Sequence, residues 1–273
     1  FAFTTPSTYA SESISLFARF TYAISSGRKN LIDSLIKQLK ADTIWSKTDL
    51  LYMYAADDTG NAKVNWINSS YTSTLSGSTK PTFTANQGFA GDGTSSYIKT
   101  GWIPNTHGVN YLLDSASIFT YVRTAIKENK HVLGSGGAGV NFIRLNPQNT
   151  STQIEARINE NGSSTTTSYD PMGLYSIIRY NASTYKVYKN DSLKATVSNA
   201  STSRPTFELY TLARNSVGSA ADFTTRQIAF VMAGGKFSDY TQTIIHRRIE
   251  WYLNRIGAYV LVPSQVWLTS PAN

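Results

Sequence analysis

The sequence predicts a mainly β protein, an antiparallel β-sandwich with a helical segment at its N-terminus and a closing helix near its C-terminus. Three observations lead to this prediction. Short segments in the middle of the chain alternate apolar and polar residues with the period of two that β-strands show. Turn-forming residues separate these segments at short intervals, as in sandwiches. Near both ends, apolar residues follow helical spacing instead.

Residues 1–48 form the predicted helical segment. Asn30 is the expected N-cap of its longer helix, because an Asn side chain can accept a hydrogen bond from a free backbone N–H. We expect the apolar face of this helix, and a shorter stripe before it, to pack against the β domain. The two stripes are Leu31, Ile32, Leu35, Ile36 and Leu39, and Leu16, Phe17 and Phe20.

Residues 49–257 form the predicted sandwich with its closing helix. In the segment 117–124, Ile118 and Val122 point to one face while Phe119 and Tyr121 point to the other. Comparable alternation occurs over 206–213 and 227–232. We interpret these segments as half-buried strands, with one face in the core.

Two turns punctuate the predicted sandwich. Gly91-Asp92-Gly93 separates two short strand-like segments, and Asn190-Asp191 joins two more. Because Asn and Asp tolerate a left-handed backbone, the second turn predicts a tight β-hairpin over 185–197.

The closing helix is predicted to begin after Ser238 and to end at Gly257. Its apolar residues recur at intervals of three and four, and Ser and Gly are favoured at the two ends of a helix. Residues 258–273 are apolar and interrupted by proline. They are expected to form an extended arm that docks on a neighbouring subunit.

Composition narrows the choice of partners. The net charge is +8, but basic residues are spread along the chain without a dense run, so we expect no nucleic-acid partner. No apolar stretch approaches the roughly 20 residues of a membrane span, so no membrane insertion is expected. The chain has no cysteine, which excludes disulfides and cysteine-based metal sites.

Several segments resemble a known superfamily. The stretch GFAGDGTSSYIKTGW at 88–102 and the hairpin VYKNDSLKATV at 187–197 are similar to strands of laminin-G-like, concanavalin A-like jelly rolls. The order of these segments, with LIDSLIKQLKADTIWSKTDLLYMY at 31–54 and FELYTLARNSVGSAADFTTRQIAFVMAGG at 207–235, resembles lectin-like domains of bacteriophage tail and virion proteins. The resemblance implies a concanavalin A-like jelly roll that serves adhesion or assembly.

No catalytic residues are predicted, and we expect the protein not to be an enzyme. A glycosidase needs two facing carboxylates, and Glu155 and Glu208, the glutamates in candidate strands, have no acidic neighbour in sequence. Distant strands can still bring carboxylates together, so a glycosidase or lyase stays an alternative. The histidines, His107, His131 and His246, lack the spacing of metal ligands.

Gly134-Ser135-Gly136-Gly137-Ala138-Gly139 matches the letters of a dinucleotide-binding fingerprint. Such a fingerprint must lead into a helix whose N-terminus holds the pyrophosphate. Here the following residues, Val140-Asn141-Phe142-Ile143-Arg144-Leu145, alternate like a strand. We therefore interpret the glycines as a β-turn or bulge.

Four residues are candidates for binding. Asp57 and Asp58 lie in a polar turn whose oxygens are a candidate Ca²⁺ site, although the ligand order of a known calcium loop is absent. Trp66 and Trp102 lie near loops, where an exposed indole would stack on a sugar. Core packing is the ordinary role of Trp and stays the alternative for both.

The leading functional hypothesis is a non-enzymatic structural or adhesive protein of a virion, such as a phage tail, fibre or capsid-decorating component. It would assemble with itself and other virion proteins, as a homo-oligomer, and would recognise a host-surface glycan. The alternatives are a free carbohydrate-binding module of a secreted bacterial protein and a glycosidase or lyase on the same fold.

Overall fold

The computed structural model describes residues 9–137, 141–162, 165–167 and 170–260. Its helices are α1 (Ser11–Phe17), α2 (Ser26–Ala41), α3 (Thr59–Ala62), α4 (Pro104–His107) and α5 (Asp239–Arg255), with a 3₁₀ turn at Trp45–Lys47. Its strands are β1 (Thr48–Tyr52), β2 (Thr74–Ser76), β3 (Thr82–Thr84), β4 (Gly88–Ala90), β5 (Tyr97–Lys99), β6 (Ala116–Val122), β7 (Leu133–Gly137), β8 (Asn141–Asn146), β9 (Gln153–Glu160), β10 (Thr165–Thr167), β11 (Gly173–Arg179), β12 (Tyr185–Lys189), β13 (Ser192–Val197), β14 (Tyr210–Thr211), β15 (Arg214–Ser216), β16 (Ser219–Ala221) and β17 (Gln227–Gly234).

The strands form two antiparallel sheets that pack face to face, which confirms the predicted sandwich. The larger sheet has the order β13-β12-β11-β6-β17-β4-β3, and β1 joins it by pairing with β17. The smaller sheet has the order β10-β9-β8-β7-β14-β5-β2. Strands β15 and β16 form a separate hairpin. Within the described ranges, no helix has both the length and the apolar character needed to cross a membrane.

The central strands of the larger sheet are buried on both faces, so the prediction that they are half-buried was wrong. In β6, Ile118 and Val122 belong to the core between the sheets. Phe119 and Tyr121, on the opposite face, belong to a second core against the helices. Every residue of β6, β11 and β17 is buried. The outward residues are large and apolar because they support a helical layer, not water.

The helical layer is built from helices near both ends of the described chain. Helix α2 packs against both α1 and α5, and their apolar faces cover the larger sheet. The predicted stripe is confirmed, with Leu35, Ile36 and Leu39 buried. The predicted cap is not: Asn30 lies inside α2, and the Oγ of Ser25 accepts a hydrogen bond from the N–H of Arg28. The helix therefore begins several residues earlier, where a serine satisfies a free N–H group.

Helix α5 begins as predicted, with the Oγ of Ser238 accepting from the N–H of Thr241. Gly257 follows the helix with a φ of 73°. The first residues of the expected arm fold back on the same chain. Arg123 donates from Nε to the carbonyl of Ala258 at 2.7 Å, and the N–H of Val260 donates to the hydroxyl of Tyr121. Residues 261–273 of the expected arm lie outside the described residues.

Residues 134–137 of the glycine-rich segment lie in β7. The prediction of a β-turn or bulge was therefore wrong for these four residues. β7 pairs with β8 along its length. A Cβ on Gly134 would lie 2.6 Å from the Cβ of Arg214, because the β15–β16 hairpin crosses directly above the strand. The glycine therefore permits close packing of two backbones. Residues 138 and 139 lie outside the described residues.

The predicted hairpin and the predicted Gly-Asp-Gly turn both form. β12 pairs with β13, and Asn190 has a φ of 55°. In the other turn, Oδ1 of Asp92 accepts three backbone N–H groups, from Thr94, Ser95 and Ser96. Burial acts to raise the pKa of Asp92, but these hydrogen bonds outweigh it and hold the pKa well below its usual value.

We predict that Asp92→Ala lowers the free energy of unfolding by about 1–2 kcal/mol at pH 7, because three backbone donors lose their acceptor. The folded-state pKa is depressed, so this stabilisation is present above about pH 4 and is lost as the pH falls towards the folded-state pKa. Denaturant titrations at several pH values should show the gap between wild type and variant narrowing below about pH 4. Asp191→Ala, at an exposed carboxylate in another turn, is the control and should show no such gap. A gap that is constant with pH would contradict the assignment.

Candidate functional site

The two candidate tryptophans lie in different cores, and neither presents an exposed indole. Trp102 is 0% exposed, in the core between the sheets, where it makes an edge-to-face contact with Tyr111. Trp66 is 3% exposed and contacts Tyr252 of α5 in the same way. Both rings fill space between layers, which is the core packing that the sequence left open as the ordinary role of Trp. A sugar-binding role for either one stays a prediction.

One of the two candidate aspartates, Asp57, lies close to Trp66. Asp57 and Trp66 line the same small internal cavity beneath α2. Asp58 is the N-cap of α3, and its Oδ1 accepts from the N–H groups of Gly60 and Asn61. In the described part of the chain, no three His, Cys, Asp or Glu side chains are grouped to hold a metal ion. As the N-cap of α3, Asp58 uses one carboxylate oxygen to accept these backbone hydrogen bonds. A Ca²⁺ site at the two aspartates stays a prediction.

Beside these residues, two surface pockets meet at Arg19. We call them together the Arg19 groove. The first has a volume of about 260 Å³ and is lined by Ser11, Glu12, Ser15, Arg19, Trp45, Trp66 and Ile67. The second has a volume of about 420 Å³ and is lined by Arg19, Thr21, Tyr22, Thr59, Gly60, Lys63, Val64 and Thr72. The second volume lies within the range of about 300–1,000 Å³ that small-molecule sites have, and the first lies just below it.

Arg19 fixes the wall between the two pockets. Its guanidinium donates to the carbonyl oxygens of Asn65 and Trp66, the latter at 3.0 Å, and so ties the end of α1 to the segment after α3. Burial lowers the pKa of Arg19. Because the donors are directed at backbone carbonyls, Arg19 is a rigid partition between the pockets.

The first pocket combines an aromatic face with a fixed carboxylate. Glu12 receives a hydrogen bond from the ammonium of Lys40 at 2.6 Å and another from the hydroxyl of Ser11 at 3.0 Å. The Lys40 contact is the main cause of the lowered pKa of Glu12. The half-buried indole of Trp45 lines the same pocket. An ionised acceptor near an aromatic ring is suited to a ligand with both hydroxyl groups and an apolar face.

The second pocket has an exposed aromatic ring on a fixed backbone. Tyr22 is 57% exposed. Its N–H donates to Oδ1 of the buried Asn61 at 3.2 Å, and its carbonyl accepts from Nδ2 of the same side chain at 3.0 Å. The neighbouring Gly60 leaves room for this loop, since a Cβ there would lie 2.3 Å from Oγ1 of Thr21. The tyrosine is thus held at the pocket before any ligand arrives.

Catalytic chemistry has little support at the groove. Among the described residues that line the groove, one, Glu12, carries a carboxylate. Glycoside hydrolysis needs two carboxylates. Glu208, whose pKa is raised by burial, accepts from the N–H of Gly101. Glu155 lies on β9, 3.7 Å from His131. Neither lines the groove.

Sequence reasoning missed Tyr22, Glu12 and Arg19. Tyr22 has one usable signal: it shortly precedes Ser25, a residue type favoured at the N-cap of a helix, so it is expected in the loop before that helix. Nothing in the sequence joins that loop to residues 59–72, because the contact depends on how α1 is placed over the sheet.

No family model and no curated protein matches the chain. Solved structures do match. A mutant of Trypanosoma rangeli sialidase with trans-sialidase activity aligns with 83% of this chain and 40% of its own, at 11% identity and a TM-score of 0.52. Botulinum neurotoxin type C, which depends on interaction with two ganglioside molecules to enter cells, aligns over 76% and 52%, at 12% identity and a TM-score of 0.55. The binding domain of botulinum neurotoxin DC, in complex with rat synaptotagmin II, aligns over 76% and 53%, at 12% identity and a TM-score of 0.51.

The chain spans about half or less of the length of these structures. At this low identity the likeness concerns the fold alone. It agrees with a concanavalin A-like β-sandwich, and it is not specific to phage proteins.

We predict that Asn61→Ala frees the Tyr22 loop. Two hydrogen bonds to Tyr22 are lost, so the free energy of unfolding should fall by about 1–3 kcal/mol. Hydrogen exchange at the Tyr22 amide should accelerate more than at the strands of the larger sheet. Asn254→Ala, at an exposed position on α5, serves as the control. Unchanged protection of the Tyr22 amide would contradict this account of the loop.

Proposed function

We propose that this chain is a non-catalytic glycan-binding domain and that the Arg19 groove is its binding site. One observation carries the proposal: the groove brings together an exposed tyrosine on a fixed backbone, a half-buried tryptophan and an ionised carboxylate. Sugars present hydroxyl groups at their edges and C–H groups on their faces. Carboxylate and hydroxyl groups bind the former, and aromatic rings pack against the latter.

The fold supports this proposal. Structures that share the sandwich include a toxin that interacts with gangliosides and a sialidase. The same fold also supports binding to a protein, since another neighbour holds synaptotagmin. The polar lining of the first pocket favours a glycan over an apolar protein surface, because a protein interface is most apolar at its centre.

The proposal extends to the setting of the protein. We infer that it acts as an adhesive or structural component of a virion, where it assembles with itself and with other virion proteins. The resemblance of its segments to phage lectin-like domains supports this inference. Mass spectrometry of purified virus particles from the source should detect the chain, and its absence from them would contradict the virion setting without affecting the glycan site.

We predict that Tyr22→Ala lowers glycan affinity at least tenfold, because an aromatic contact at the centre of a site often contributes more than 1–2 kcal/mol. A glycan array with wild type would first identify the bound sugar. Isothermal titration calorimetry would then measure affinity for that sugar in each variant. Stability should change little, since the ring is mostly exposed.

Tyr240→Ala is the matched control. Tyr240 is 76% exposed in the first turn of α5, away from the groove. This variant should bind like wild type. If wild type binds no glycan on the array, or if the two variants lose affinity equally, the groove is not a glycan site. Turnover of an arrayed polysaccharide by wild type would overturn the non-catalytic part of the proposal.

A further inference from the structure

The outer face of the smaller sheet carries a compact group of arginines, apart from the Arg19 groove. Gly134 in β7, Arg144 in β8 and Arg157 in β9 are aligned in register. Residues paired across antiparallel strands point to the same face. The neighbouring residues in each strand, such as Ile143 and Ile158, belong to the core between the sheets. Arg144 and Arg157 therefore point outwards.

A third arginine lies directly above this row. The β15–β16 hairpin passes over Gly134, where a Cβ would meet the Cβ of Arg214. The Arg214 guanidinium donates from Nε to the carboxylate of Asp222. Asp222 also lies 3.3 Å from the ring of His131. Arg214 is therefore already paired, and its positive charge, which Asp222 offsets in part, lies beside the other two.

An aromatic ring holds the other two guanidinium groups together. The Cζ of Arg144 lies 3.9 Å from the centre of the Phe142 ring, and the Cζ of Arg157 lies 5.0 Å from it. Cation–π contacts of this kind position guanidinium groups without neutralising them. Two like charges share one ring, and the charge of Arg157 is one of the causes that lower the pKa of Arg144.

Neither of these guanidinium groups has a hydrogen bond or an ion pair within the described residues. The Nε of Arg144 is buried and has no acceptor there. Burial, followed by the charges of Arg214 and Arg157, lowers the pKa of Arg144 to about 10. The nearest carboxylates are engaged elsewhere: Asp222 with Arg214, and Glu155 with Asn149, whose Nδ2 donates to it at 3.0 Å. Three guanidinium groups therefore lie near two carboxylates, so the positive charge of this face is compensated only in part.

We propose that Arg144 and Arg157, with Arg214 beside them, bind a single oxyanion, the carboxylate or sulfate group of an acidic saccharide. Guanidinium groups present parallel N–H donors that match the oxygens of such a group. An anion placed between them supplies the missing acceptor and removes their mutual repulsion. Phe142 provides an apolar surface beside the anion. This site does not depend on the groove, which faces a different layer of the protein.

A saccharide fits this site better than a nucleic acid does. Nucleic-acid binding uses many cations spread along the path of the phosphates. Here the free positive charge is confined to one cluster, and it is flanked by the carboxylates of Asp222 and Glu155. These carboxylates would repel a second phosphate nearby. The geometry thus selects one charged group on an otherwise neutral or sparsely charged ligand.

The test compares matched ligands by isothermal titration calorimetry. The ligands are a trisaccharide of galacturonic acid, its neutral methyl ester, a sulfated disaccharide and a short oligothymidylate. We expect wild type to bind at least one acidic saccharide ten times more tightly than the methyl ester. The carboxylated and sulfated ligands identify which oxyanion the site prefers. Oligothymidylate should bind weakly, and tighter binding to it that depends on these arginines would overturn the saccharide assignment.

The variants Arg144→Gln and Arg157→Gln should each lower the affinity for the preferred acidic saccharide at least tenfold. Arg157→Lys keeps the charge but lacks the paired donors of a guanidinium. Its affinity should therefore lie between those of wild type and Arg157→Gln. Arg247→Gln removes one charge from an exposed position on α5, and it should bind within about twofold of wild type. Equal losses in Arg247→Gln and Arg157→Gln would overturn the site, and so would a wild type that binds neither acidic saccharide.

Circular dichroism and thermal melting establish that each variant is folded. If Arg144→Gln does not fold, the two Arg157 variants decide the result. Arg157 lies on the more peripheral of the two strands, and its Nε is not among the buried donors that have no acceptor. Unchanged affinity in a folded Arg157→Gln then overturns the proposal.

Discussion

The structure depends on the burial of the larger sheet on both faces. Strand β17 pairs with β6 along one edge and with β1 and β4 along the other, and all its residues are buried. A sheet with two apolar faces needs two covers. The smaller sheet supplies one cover, and helices α1, α2 and α5 supply the other. Because these helices come from opposite ends of the described chain, the sheet holds both ends in place. The Arg19 groove lies where α1 meets the segment that follows α3.

Much of the fold could be predicted from the sequence, because period and capping are local properties. The period of two located β6 and β17, and Ser238 and Gly257 mark the limits of α5 correctly. The burial of β6 could not be predicted in this way. Phe119 and Tyr121 alternate with Ile118 and Val122, and alternation alone does not show whether the outer residues meet water or another layer. The aromatic character of both outer residues was the available signal, and it favours a packed face. Asn30 was a plausible cap by residue type, but Ser25 is better placed to start the helix.

The candidate site was less predictable, because its parts are distant in sequence. Glu12 and Arg19 come from the first helix, Trp45 from a 3₁₀ turn, and Tyr22 from a loop held by Asn61. Only the packing of α1 on the sheet brings them together. Trp66 was identified from sequence, and it does line the groove, although its ring is a structural support. Trp102 was chosen for the same reason and is enclosed between the sheets. Residue type alone does not separate an indole that binds from an indole that packs.

The arginines show why net charge is a poor guide to function in this chain. The basic residues are spread evenly along the sequence, yet folding gives them different roles. Arg226 is fully buried and donates to the carbonyl oxygens of Ile126, Lys130 and Gln148, so its charge stabilises loops within the protein. Arg179 is equally buried and likewise bonds backbone carbonyls. Arg144 and Arg157 have no such acceptors among the described residues. A buried donor without an acceptor, such as the Nε of Arg144, is unfavourable, and the charge of Arg157 nearby adds to the cost. A ligand of opposite charge would supply the hydrogen-bond acceptor that the described part of the chain does not.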